Sequence, residues 1–390
     1  MRLLVGILAC SLASILPRGS GEAQQQSSTT YTPRHKGHID LSTGLYVRVD
    51  EDLIVPGAPS LVLRRTYLSG YRWSTQFGIG TTHDGEWYLT GDGQRFQWAE
   101  LILATGSRVR FERVSPGTSI LNARYEHRSG SGEWRGATLA WAWVGWIVKR
   151  QDGSTMMFRS CGRKTSEVCS IVQSIDPDGR SVHYRRDASG RLLKMEADPG
   201  RWIAFDYDPE SRITRAYDQA GREVRYAYDT RGRLTRVAGL EGRVHLYSYT
   251  ERDELATIVD PGTTIENSYD QDGRCFKQVN RYPDDPDPFV FQFIYRALGS
   301  MVLQTDTKRS DGTWTRYTFG KARATTSEAW GSGDLERVSI AYDRDPLTND
   351  VTHMTVTCLD RTGRPLRHSS FVAPGNEERI KRELLETHCH

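Results

Sequence analysis

Residues 184–191 (YRRDASGR), 205–212 (FDYDPESR), 226–233 (YAYDTRGR), 247–254 (YSYTERDE) and 267–274 (NSYDQDGR) repeat one short pattern, and its spacing decides the fold. The fourth residue of the pattern falls at Asp187, Asp208, Asp229, Thr250 and Asp270, in steps of 21, 21, 21 and 20 residues. Regularity of this kind marks an array of like units. A second, offset punctuation runs between the markers at residues 176–180 (DPDGR), 198–201 (DPGR), 218–222 (DQAGR), 239–243 (GLEGR) and 260–262 (DPG). In such turns Asp supplies an acceptor for backbone N–H groups, Pro presets φ, and Gly tolerates positive φ. A strand of about six residues and a turn of about four, taken twice, fill roughly 20 residues, so the period is that of a β-hairpin. Leu234, Val237, Val244, Leu246 and Tyr247 fit strands that bury one face.

The double pattern resembles the YD-repeat of the RHS (rearrangement-hotspot) family. Residues 35–110 add a second resemblance, to the domain that precedes YD-repeats in many RHS proteins. Its elements here are Asp40, Thr43 and Gly44, then Pro56 and Gly57, then Arg65 and Tyr67, then Phe77, Gly78 and Gly80. The local pattern agrees, because Leu61, Leu63 and Arg65 alternate with Val62 and Arg64 as in a strand. The resemblance implies an all-β fold: a YD-repeat array of antiparallel hairpins forming a curved sheet, a partial shell or a narrow barrel. It implies a link to toxin or contact-dependent competition systems as well. Two family features are not carried over. The Asp-Pro-Gly turns at Asp198 and Asp260 are followed by Arg201 and Thr263 instead of the core cleavage sequence, and no variable toxin domain follows. Self-cleavage is therefore not expected, and the chain reads as a truncated member. About 20 strands spaced ~4.8 Å apart would close into a tube roughly 30 Å across, too narrow for a folded cargo once inward side chains are counted.

The expected organisation is a signal peptide over 1–23, a flexible leader over 24–34, an RHS-type amino-terminal β domain over 35–175, the repeat array over 176–281, degenerate β repeats over 282–374, and a short charged tail over 375–390. Arg2, the apolar run from Leu3 to Ile15, Pro17, and the small residues Gly21 and Ala23 carry the signal. Export to the periplasm, cell surface or medium follows from it. Cys10 within the apolar run raises a lipid-anchored alternative. In an oxidising compartment Cys161 and Cys169 would clip a hairpin as a disulfide. The pairing of Cys275, Cys358 and Cys389 stays open.

Candidate chemistry is sparse. The sequence has no nucleophile elbow, no His-Glu-x-x-His pair and no phosphate-binding glycine loop. No enzyme activity, cofactor or metal is expected, and the terminal His388-Cys389-His390 cannot close a tetrahedral site alone. Between residues 176 and 281, 18 basic face 19 acidic side chains, which argues against a nucleic-acid stripe. The repeat Asp residues fit turn geometry. Arg191, Arg212, Arg233 and Arg274 are expected to pair with carboxylates or lie over aromatic rings.

Two function classes remain. The first is a non-catalytic exported scaffold that engages a protein partner, or another copy, through strand edges. The alternative is a cell-surface carbohydrate binder, with Tyr207, Tyr228, Tyr249 and the same-parity pair Trp141 and Trp143 as stacking candidates and Trp146 on the other parity.

Overall fold

The computed structural model describes residues 34–35, 38–92, 97–128, 133–143, 145–159, 169–320, 323–346, 349–360 and 362–372. Regular structure among them is β throughout, apart from three short 3-10 turns. The expected signal peptide, Cys161, the charged tail and the His388–His390 cluster lie outside the described residues.

Each repeat unit is a hairpin pair. Leu192–Ala197 pairs with Arg201–Tyr207, Ile213–Asp218 with Glu223–Tyr228, Leu234–Ala238 with Val244–Tyr249, and Leu255–Asp260 with Thr263–Tyr269. Consecutive hairpins pair with each other, so the array is one continuous antiparallel ribbon. The register slips by one residue beside every marker tyrosine, between Asp206 and Tyr207, Ala227 and Tyr228, Ser248 and Tyr249, and Ser268 and Tyr269. The bulged residues opposite are Thr214, Thr235, Ala256 and Phe276. Thr214 and Thr235 return their hydroxyls to the carbonyls of Asp206 and Ala227.

The bulge explains a pattern that strict alternation does not. Leu192 and Met195, Ile213 and Ala216, Leu234 and Val237, and Leu255 and Ile258 are all buried although each pair is three apart. One residue in each strand is looped out, so the inner face is met at i and i+3. Leu246, by contrast, points outward and is 43% exposed, while Tyr247 is buried.

The ribbon begins in a small closed barrel. Eight strands run from Tyr88–Gly91 to Cys169–Ile175, and Leu89 and Tyr88 pair back onto Cys169 and Ser170. The far half of Cys169–Ile175 pairs instead with Ser181–Arg186, and from this shared strand the ribbon continues. The barrel is filled by its own core, including Trp134, Tyr125, Phe111 and Phe158. Long hairpins Asp285–Leu298 with Met301–Arg309, and Thr313–Phe319 with Thr325–Ser332, extend the same sheet to Pro365–Val372.

Residues 38–83 form a separate layer, with Val47–Val55, Leu61–Leu68 and Thr81–His83 as its sheet. Its Leu41, Tyr46, Leu53, Leu63, Tyr67 and Phe77 share one core with the inner face of the repeats. The amino-terminal block expected over 35–175 thus has two parts, a layer that covers the repeats and a barrel that starts the ribbon. Of the alternatives for the array, the curved ribbon with a filled inner face is the one observed.

The fourth position of the marker turns is held at positive φ: Gly190, Gly232 and Gly273 occupy it in three units, but Ser211 does so at φ 65°. A side chain there costs on the order of 1 kcal/mol. Ser211→Gly is expected to raise stability by up to about 1 kcal/mol, and Gly232→Ser to lower it, both measured by chemical denaturation.

Candidate functional site

The residues that the pattern singles out form one recurrent linkage. In three marker turns the Asp carboxylate accepts both the backbone N–H and the guanidinium Nε of the Arg four residues on. The Nε distance is 2.7 Å at Asp187–Arg191, Asp208–Arg212 and Asp229–Arg233. The guanidinium then lies over the next tyrosine ring, Arg191 on Tyr207 at 5.3 Å, Arg212 on Tyr228 at 4.8 Å and Arg233 on Tyr249 at 5.1 Å. Ion pairing and ring contact, the two roles expected of the arginines, are met together at Arg191, Arg212 and Arg233, while Arg274 pairs with Asp272 at 2.5 Å. The phenols donate to carbonyls one unit back: Tyr207 to Leu192, Tyr228 to Ile213 and Tyr249 to Leu234, at 2.6–2.7 Å. Tyr269 and Tyr295 repeat the bond onto Leu255 and Cys275.

Those accepting residues are also where the amino-terminal layer docks. The Ile213 N–H donates to Gln76 O, the Leu255 N–H to the Tyr67 hydroxyl, and the Cys275 N–H to Gly44 O, at 2.7–2.9 Å. Tyr67 in turn donates to Asp253 O at 3.2 Å. The motif residues of the layer are therefore its contact points. Gly44, at φ 77°, sits so close to Arg274 that a Cβ would lie 2.6 Å from the arginine's own Cβ. Gly78, at φ 80°, lets Ile79 donate to Gly232 O, and a Cβ there would meet that oxygen at 2.3 Å.

The charged centre of the interface is a network that sequence reasoning missed as a unit. Arg65, 2% exposed, pairs with Asp52 at 2.8 Å and Asp50 at 3.1 Å, and donates to Tyr247. Arg48 bridges Asp50 and Asp260, each at 2.8 Å, and Asp260 also takes His245. Tyr226 donates to Asp52. Burial alone would raise the Asp50 carboxyl, but Arg65 and Arg48 outweigh it and hold the group down at about 2. Alternating Asp50 and Asp52 on a strand facing Arg65 was the available signal; that the partners sit near residues 226–260 was not readable without the fold.

A second cluster lies where the layer meets the barrel. His83 is wholly buried between Phe77 and Phe205, and its Nδ1 accepts the Gly85 N–H, which leaves the proton on Nε2. Burial, reinforced by Arg186, lowers its pKa to about 3. Burial pushes Glu86, 3.9 Å away, up to about 7. An open cleft of about 380 Å³ flanks the Arg135–Asp350 ion pair. Among the described residues no group of three or more His, Cys, Asp or Glu side chains converges on one point.

The stacking candidates are not brought together. Tyr207, Tyr228 and Tyr249 are half-buried against the repeat core, with an arginine over each ring and the phenol bonded to backbone. Trp141 packs edge-on against Trp146 at 5.2 Å, its cross-strand partner, while Trp143 stands in the turn, 89% exposed. Expecting Trp141 and Trp143 on one face and Trp146 on the other was incorrect, because parity holds within a strand and the turn after Ala142 resets it. Cys169 and Cys358 each take part in a disulfide, and Cys275 is a free, buried thiol. With Cys161 outside the described residues, the expected Cys161–Cys169 pairing is not one the structure describes.

With this geometry in hand, the comparisons are consistent. Residues 36–111 match a domain of unknown function, DUF6531, and residues 207–244 match the RHS Repeat. Residues 207–244 thus carry an RHS repeat, in the register that the repeated pattern predicts. No curated protein matches it. Among solved structures it is similar to the TcdB2-TccC3-Cdc42 complex, at 11% identity and TM-score 0.37, covering 83% of this chain and 22% of that one. It is similar too to TcdB2-TccC3 without its hypervariable C-terminal region, at 10% identity and TM-score 0.38, covering 84% and 22%. The chain thus spans under a quarter of the length of those proteins. No helix among the described residues is long and apolar enough to cross a membrane.

Three outcomes follow from these contacts. Tyr228→Phe removes one phenol-to-carbonyl bond and is expected to cost about 1 kcal/mol in denaturant unfolding. Arg65→Ala leaves Asp52, 5% exposed, without its ion pair and is expected to cost about 3–5 kcal/mol. His83 has a depressed folded pKa, so its contribution is complete above the unfolded value of 6.5 and is lost as pH falls from there towards about 3. The stability difference between wild type and His83→Gln, measured by denaturation from pH 7 to pH 4, should shrink as the pH falls.

Proposed function

We propose that the chain acts as a non-catalytic, exported RHS-repeat scaffold that engages a protein partner through the free edge of its sheet, in the setting of a toxin or contact-dependent competition system. One observation carries the reading. Among the described residues the strand Pro365–Val372 pairs along one side, with Val351–Leu359, whereas Tyr88–Gly91 at the start of the ribbon is paired on both. An edge strand of this kind offers backbone donors and acceptors, and such an edge is a template for strand addition. The repeat chemistry supports the non-catalytic part, since Asp, Arg and Tyr of each unit are engaged with each other and with backbone.

Export rests on Arg2, the apolar run and the small residues before the folded part, and it provides the compartment in which Cys161 and Cys169 would pair. Fusing residues 1–40 to an alkaline phosphatase that lacks its own leader should give activity outside the cytoplasm. Absence of activity there would reject export. Peptide mapping of the exported chain without reductant should recover a Cys161–Cys169 cross-link. For the partner, hydrogen exchange at residues 365–372 should be fast in the chain alone and slow when a partner is bound; slow exchange in the isolated monomer would mean that the edge is already covered.

A further inference from the structure

We infer that the carboxy-terminal tail, residues 373–390, folds back across one face of the last strands and is latched there by a disulfide between Cys358 and Cys389. Burial supplies the first argument. Ile340, Val351, Met354, Val356 and Cys358 are at most 4% exposed and form a core of their own. All five, with the half-buried Trp330, Val338, Tyr342 and Phe371 beside them, lie on the four strands Thr325–Ser332, Leu335–Arg344, Val351–Leu359 and Pro365–Val372. Their rows line up across the sheet: Ile340 is opposite Val356, Val338 opposite Cys358, and Met354 stands between Tyr342 and Phe371. Side chains stand roughly perpendicular to a sheet, so neighbours in one layer cover their flanks and leave their ends open. Burial to 0% at Ile340 and Met354 therefore needs a second layer over this face. The amino-terminal layer packs on a different core, the one that runs through the repeats to Phe319, so the cover comes from elsewhere in the chain.

The cysteines identify the cover. Cys358 takes part in a disulfide. Its partner is not Cys169, because Cys169 sits in the barrel core and Cys358 in the separate core of the last strands, and bonded cysteines have Cα atoms within about 7 Å. Cys275 is a free thiol. With Cys161 on Cys169 and Cys10 inside the export signal, Cys389 remains. Those two assignments rest on the export reading above. The reach is sufficient: Val372 lies opposite His353, five residues and so ~17 Å along the strand from Cys358. Sixteen residues separate Val372 from Cys389, and even wound as a helix they would span about 24 Å. Ile380, Leu384 and Leu385 supply the apolar side chains that such a cover needs. Forming the bond releases two protons and passes two electrons to an existing disulfide, that of a thiol oxidoreductase or oxidised glutathione, which is reduced to thiols. The tail then does for the last strands what the amino-terminal layer does for the repeats.

Two measurements on the full 390-residue chain, purified and oxidised in a glutathione redox buffer, test the latch and the cover. Tryptic mapping without reductant should recover residues 345–361 joined to residues 383–390, the peptides that carry Cys358 and Cys389. Cys358 joined to Cys10 or Cys161 instead, or Cys389 recovered as a free alkylated thiol, overturns the latch. Hydrogen peroxide then probes the cover through methionine oxidation. In the oxidised wild type Met301, 44% exposed, should form sulfoxide while Met354 does not. In the double variant Cys389→Ser with Leu384→Asp, Met354 should oxidise at least fivefold faster, with Met195 in the repeat core still protected, which separates local uncovering from misfolding. A Met354 that stays as protected in the variant as in the wild type overturns the cover. Because the oxidation is carried out on purified protein, a chain that forms the Cys358–Cys389 bond while the phosphatase fusion stays inactive rejects export and upholds the latch.

Discussion

The fold depends on how one bulged residue pair per unit keeps its backbone satisfied. A one-residue slip beside each marker tyrosine disturbs the ladder at a buried position, and buried backbone groups without partners are costly. The tyrosine of the next unit donates to the carbonyl of Leu192, Ile213, Leu234, Leu255 or Cys275. At three of these residues the N–H is taken by the amino-terminal layer. The same side chains are the innermost of the core, all at most 2% exposed. Hydrogen bonding and packing therefore coincide on one row of residues, which ties each unit to the next and the array to the layer above it.

The irregular unit is informative for the same reason. Where the others have Asp and Arg, this one has Thr250 and Glu254, joined by a 2.7 Å hydrogen bond. Arg233 of the preceding unit reaches across to Asp253, and Arg252 turns back to Glu254. The clamp survives with its charges rearranged. This is also the unit at which Tyr67 inserts, accepting from Leu255 and donating to Asp253. A departure from the repeat thus coincides with the place where a different part of the chain supplies the contact. Buried ion pairs nearby, such as Arg65 with Asp52, are better viewed as specifying where the layer sits than as a net source of stability.

Much of this was legible beforehand. The 21-residue period gave hairpins, the Asp-x-x-Gly-Arg spacing gave turns with an Asp–Arg pair, and the two family resemblances appeared in the right order. Inner-face positions were less legible: strict alternation misplaces Leu246 and does not explain Leu234 with Val237, because a bulge changes parity without any residue that marks it. The tryptophans failed for a related reason, since a two-residue spacing across a turn says nothing about faces. The tyrosines proposed as a ligand platform were identified as important but for the wrong role. Their hydroxyls and ring faces are engaged within the protein, which only the neighbouring strands reveal.

By itself the sequence determined the unit: its length, its two turns, its tyrosine and its Asp–Arg pair, because these are local requirements of backbone geometry and short-range electrostatics. The tertiary structure decided how the units are closed and covered. That Tyr88–Gly91 returns to Cys169–Ile175, that Arg48 reaches Asp260 and that Gly44 sits on Arg274 are contacts between residues about 80 to 230 positions apart. Such pairings depend on the accumulated twist and curvature of many strands, and no local pattern encodes that sum.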